Sequence, residues 1–129
     1  MKINLFLLVL VFSLLLRLFL SVQIYSGDVN NHMAWAAGIL DGGAAGAYYR
    51  EYPGVMQPTY PPISLLAFIT SEWFYRQTIS TAYSLNQTFA IFPSRLIWAM
   101  ADQDFRPAFY KITAIVSDLG IGLLIFMLT

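Results

Sequence analysis

The stretch Gly27-Asp28-Val29-Asn30-Asn31-His32-Met33-Ala34-Trp35 holds the residues best suited to chemistry. It follows directly on a long apolar run, so it sets one carboxylate at the mouth of a helix of membrane length. A carboxylate so placed can take the proton of an attacking hydroxyl in chemistry on a lipid-borne substrate. Asp is equally a favoured residue at a helix start, and Asp28 stands where a cap would stand. The single histidine, His32, follows one helical turn later. A lone histidine is more often a packing or surface residue than a proton carrier. Tyr60-Pro61-Pro62-Ile63 then opens a second apolar run.

The elements that must position these groups are membrane elements by composition. Hydrophobic residues make up 58% of the chain, charged ones 11%, and the mean hydropathy is +0.63, all displaced from a soluble domain. The net charge of zero gives no electrostatic footprint for nucleic acid. With no cysteine, the chain has no disulfide, no thiol nucleophile and no thiolate metal site. One acid beside His32 is not a convincing metal set, so no cofactor is expected, with a divalent metal left open.

The chain reads as all-α, a single membrane unit over residues 1–129 with about three spans, at about 3–24, 61–78 and 107–129. The first run of about 22 residues rises about 33 Å, enough to cross a hydrocarbon core. Its alternative is a cleaved signal peptide with Lys2 as the basic end, but the run is long for that and no small-x-small cleavage site follows cleanly. Arg17 interrupts it. A charge in the bilayer costs at least about 2.5–3.5 kcal/mol, so it faces an acidic headgroup, a protein acid, or snorkels to the nearer interface. Pro61 and Pro62 suit the first turn of the second span, where missing N–H groups cost nothing. The third run carries Asp118, which reads as a structural acid pairing with Arg17 or Lys111.

Residues 25–60 form the first connection. Val29, Met33, Ala36 and Leu40 repeat on one helical face, and Asp28, His32, Trp35 and Ile39 on another. This predicts a short amphipathic helix over 28–40 lying on the membrane surface. Gly42, Gly43 and Gly46 end it, and Tyr48, Tyr49, Tyr52 and Tyr60 with Pro53 and Pro58 make a stiff aromatic return. Residues 79–106 form the second connection, with 89–100 as a further surface helix and Asn86-Gln87-Thr88 matching a glycosylation sequon of low specificity. Arg76, Arg95, Arg106 and Lys111 cluster at that second connection, against Arg50 alone in the first. The positive-inside rule then puts the N-terminus and residues 79–106 in the cytoplasm and the Asp28 loop outside.

The order of these motifs resembles the N-terminal part of GT-C glycosyltransferases. Leu16-Arg17-Leu18 ends a first span; Gly27-Asp28 and a helix with Trp35 follow; then come a glycine- and tyrosine-rich stretch, Tyr60-Pro61-Pro62, and a third span with Ser117-Asp118-Leu119. The order is most similar to bacterial relatives of the mannosyltransferases of glycolipid-anchor synthesis and to dolichol-linked glucosyltransferases. The resemblance implies transfer of a hexose from a polyprenyl-phosphate donor to a glycan or lipid acceptor on the extracytoplasmic face of a bacterial inner membrane. It implies Asp28 as general base. A cation is then wanted near the leaving phosphate, and Arg50 and His32 are on the correct side, with Tyr60 at the span entry. Those enzymes have about eight or more spans, so the resemblance also implies that this chain is an N-terminal portion, inactive alone. The reading that competes without it is a small non-catalytic membrane assembly subunit or transporter component, in which Arg17, Asp28 and Asp118 are structural or relay charges.

Overall fold

The computed structural model describes residues 2–23, 26–89, 93–102 and 105–128, with side chains from residue 5 onward. The expected span end at Ile24, the loop start at Tyr25, residues 90–92 near the start of the 89–100 helix, and Thr129 lie outside these. The described residues form five helices and no strand: α1 (Lys2–Ser21), α2 (Gly27–Gly42), α3 (Pro62–Thr88), α4 (Ser94–Ala101) and α5 (Arg106–Leu128). The all-helical expectation stands.

α1 and α5 pair side by side and antiparallel. Phe6 stacks on Phe126 at one end, with ring centroids 3.9 Å apart. Arg17 meets Asp118 at 2.6 Å near the other. Lys111 Nζ donates to the last carbonyl of α1, Ser21 O, at 2.8 Å. α1 shows leucine, valine and phenylalanine side chains on its outer face, and α5 shows isoleucine, leucine and valine. Only 6% of the most apolar window of α5 is buried among the described residues, which leaves a long apolar face open. Among the described residues α5 is the one helix long and apolar enough to cross a membrane; residues 5–21 form a shorter apolar helix.

The expected span at 61–78 is not confirmed. Its helix starts as the prolines predict, with Pro61 before the first turn and Pro62 in it. It then runs on to Thr88, because neither glycine nor proline interrupts it before Pro93. The first third of the expected 79–106 loop is therefore helix. α3 also carries Glu72, Arg76 and many Ser and Thr residues, and it lacks the apolarity of a span. Three alternating crossings would make the first and third parallel, whereas α1 and α5 are antiparallel. Helices α2 to α4 thus gather at the end of the pair where α1 stops and α5 starts. α4, shorter than the expected 89–100 helix, follows Pro93 and buries Ile97.

α2 forms where the apolar periodicity places it, but it does not lie on a surface by one face. Trp35 and Ile39 pack with Ala47, Tyr52 and Leu65 on one side. Ala36, Val29 and Met33 pack against Phe109 and Tyr110 of α5 on the other. Protein covers both stripes. The return segment holds its shape through side chains: Trp35 Nε1 donates to Met56 O at 2.6 Å and Tyr52 OH donates to Ala47 O at 3.1 Å. Gly38 lets the Tyr52 ring close on α2; a Cβ there would lie 2.6 Å from Cε1 of that ring.

The deepest polar group is Glu72 of α3, whose side chain is 2% exposed. Its Oε1 accepts from Arg76 Nε at 2.9 Å, one turn along the same helix, and from Arg106 Nη2 at 2.8 Å. Its Oε2 accepts from Arg106 Nε and from Tyr110 OH, both at 2.9 Å. Arg76 reaches further and grips Asp41 of α2 with two bonds of 2.6 and 3.1 Å. Arg106 also donates to Met33 O at 3.3 Å. One carboxylate so joins α2, α3 and α5. Glu72→Ala strands two guanidinium groups that are 39% and 28% exposed, so water repays part of the loss. The expected cost is about 3 kcal/mol, the low end for breaking a buried pair. Thermal unfolding in detergent, followed by helical circular dichroism, checks it against Glu51→Ala, an exposed acid whose loss leaves the midpoint in place.

Candidate functional site

Asp28 lies in the first turn of α2, and Ser26 occupies the cap position, its side chain making no capping bond. The cap reading of Asp28 is therefore corrected. What a first-turn acid gains is the helix dipole, roughly 0.3–1 kcal/mol. Asp28 is exposed, and among the described residues its carboxylate makes no hydrogen bond or salt bridge. In sequence, Asp28 follows the last residue of α1 by seven positions.

His32 lies one turn further, on the Asp28 side of α2. Its ring stacks on Phe68 of α3 at 3.9 Å, meets the edge of Tyr60 at 5.1 Å, and tilts against Trp35 at 5.5 Å. Tyr60 and Trp35 are 5.9 Å apart, closing the box. Tyr60 is 39% exposed, so one side of it faces out, and its carbonyl accepts from Tyr48 OH at 2.8 Å. The His32 Nε2 is buried with no hydrogen-bond partner among the described residues. Burial pushes the imidazole below its usual 6.5, and the Asp28 charge offsets part of that shift. His32 is thus neutral at neutral pH and is no cation for a phosphate.

Arg50 is not at this site. Its guanidinium donates to Gly38 O, to Gly42 O at 2.8 Å and to Gly43 O at 3.0 Å, closing the carbonyl end of α2. Gly42 is 14 residues beyond Asp28, about 21 Å along the helix. The expected phosphate-binding role of Arg50 gives way to capping. The structure brings Asp28, His32 and Tyr60 together and leaves Arg50 apart. Asp118 lies on α5 against Arg17, away from Asp28.

Sequence reasoning missed Phe68 and the Glu72 network. The Glu72–Arg76 spacing of four residues was a visible signal for a paired acid. Phe68 gave none, since an aromatic within an apolar run reads as packing. Among the described residues no three His, Asp or Glu side chains gather as a metal set would. Comparison with protein-family models, curated proteins and solved structures gives no match.

The His32 box fixes a pH response. Because burial depresses the folded value, the unfolded chain binds a proton first as pH falls. Stability is complete above about 6.5, the unfolded value, and declines through the window between 6.5 and the lower folded value. Asp28 and Tyr60 are the titratable groups facing the ring, and Phe68 and Trp35 close its other sides. The unfolding midpoint in detergent should fall between pH 7.5 and 5.5, and His32→Phe, which keeps the stack and removes the proton site, should flatten that slope.

Proposed function

We propose that this chain is the N-terminal portion of a membrane glycosyltransferase that moves a hexose, mannose by resemblance, from a polyprenyl-phosphate donor to an acceptor hydroxyl, with Asp28 as general base. The observation that carries the reading is the exposed, unpaired Asp28 carboxylate, five linking residues beyond α1. The acceptor oxygen attacks the anomeric carbon while the bond from that carbon to the phosphate oxygen breaks. The electron pair leaves with the phosphate, and Asp28 takes the hydroxyl proton. The half-exposed Tyr60 ring, held by His32, Phe68 and Trp35, offers an apolar face beside the carboxylate for a sugar. No cation of the site stabilises the phosphate, since Arg50 is spent on α2.

In this reading the chain crosses the membrane twice, through α1 and α5, and residues 22–105 form one extracytoplasmic unit. The antiparallel pairing of α1 with α5 supports two crossings over three. The charge argument for orientation changes accordingly. Arg76, Arg95 and Arg106 then lie on the same side as Arg50, in a connection longer than the roughly 60 residues within which basic residues set topology. Lys2 remains as the cytoplasmic mark, and the chemistry sets the side of Asp28.

The absence of cysteine makes the topology directly measurable. Glu51→Cys and Arg95→Cys, both exposed positions, should each react with a membrane-impermeant maleimide added to intact cells. Labelling of only one of them would restore the odd number of crossings. For the chemistry, Asp28→Asn in the enzyme expressed from its complete gene should lower sugar transfer from a polyprenyl-phosphate donor by about 10²–10⁴, the usual worth of a positioned base. Asp28→Glu should recover part of it. Full activity of Asp28→Asn at normal expression removes Asp28 from the mechanism, and no transfer by the wild type favours the non-catalytic subunit.

A further inference from the structure

A groove of about 330 Å³ runs between α1 and α5 beside the end of α1. Its lining is Arg17, Leu20, Ser21, Lys111, Ala114 and Ile115. Two of these are cations and none is an acid. Arg17 lies four residues from the end of α1, about 6 Å along the axis, and Lys111 five residues inside α5, about 7.5 Å. In a bilayer crossed by this pair, both cations therefore sit where headgroup meets acyl chain, while Leu20, Ala114 and Ile115 offer an apolar wall.

The donors are arranged for an anion. Arg17 uses Nη1 on Asp118 at 2.6 Å and Nε on Ser13 Oγ at 3.4 Å, and its Nη2 makes no hydrogen bond among the described residues. Lys111 Nζ rests on Ser21 O at 2.8 Å, which holds the ammonium at the rim of the groove. Asp118 steadies Arg17 through that 2.6 Å pair.

We infer that this groove binds an anionic phospholipid of the surrounding bilayer. The phosphate lies between Lys111 and Arg17, and one acyl chain runs along Leu20, Ala114 and Ile115. Basic pockets between membrane helices recognise lipid phosphates in this way. The inference rests on α1 and α5 crossing the bilayer and is independent of the sugar-transfer chemistry, so loss of Asp28 leaves it untouched.

The test is native mass spectrometry of the full chain, released from nanodiscs containing equal phosphatidylglycerol and phosphatidylcholine. The wild type should retain phosphatidylglycerol in preference, by about fivefold for each cation that contributes. Lys111→Gln and Arg17→Gln should each lose most of that preference, and Lys111→Arg should keep it. Asp118→Asn breaks the same ion pair as Arg17→Gln but spares the cation, so it should keep or raise the preference. Equal retention of both lipids, equal loss in Asp118→Asn and Arg17→Gln, or preference for an added polyprenyl phosphate over phosphatidylglycerol overturns the inference. The Glu51 and Arg95 labelling pattern separates that failure from failure of the two-crossing topology.

Discussion

Everything at the loop end of this molecule hangs on one buried carboxylate. Glu72 is shut away from water and takes four hydrogen bonds from Arg76, Arg106 and Tyr110. Desolvating an acid costs several kcal/mol, and the two guanidinium groups and the hydroxyl repay that only in a geometry where all arrive together. The constraint is one of register more than of strength. α3 must present Glu72 at the level where α5 begins, and α2 must lie so that Asp41 meets the far end of Arg76. With these levels fixed, Phe68 comes under His32, and Asp28 is left at the rim.

The extent to which the sequence revealed this differs by kind of signal. α2 was legible because its apolar residues repeat at the helical period, and the start of α3 because Pro61 and Pro62 fit only a first turn. That Asp118 pairs with Arg17 or Lys111 followed from the cost of charges in apolar runs, and the structure selects Arg17. The end of α3 was not legible. The apolarity fades after Tyr75, and a fading run reads as loop although nothing in Gln77 to Thr88 breaks a helix. The direction of α5 relative to α1 was hidden too, since hydropathy gives lengths and not handedness or partners.

The site was half legible. The adjacency of Asp28 and His32 is a property of one helix and could be read directly. The meeting of His32 with Tyr60 needs the return segment to fold back over α2, which depends on Trp35 reaching Met56 O and on Gly38 admitting Tyr52. Arg50 illustrates the opposite case. A cation in a polar loop invites a ligand, yet the carbonyl end of α2 is the nearer anion, and a planar guanidinium with several donors satisfies it better than any other side chain present.

The Arg17–Asp118 pair bears on how the molecule is made. Its partners are 101 residues apart in the chain. In the two-crossing reading, α1 enters the bilayer with an unmatched charge near one end, and such a charge drawn to mid-membrane costs at least about 2.5–3.5 kcal/mol. Its counterion exists only once α5 is made. On that reading α1 has reason to linger in the shelter of the insertion machinery until α5 arrives, and the two enter lipid as a paired couple with the residues between them on one side. Insertion of α1 would then wait on a charge made 101 residues later.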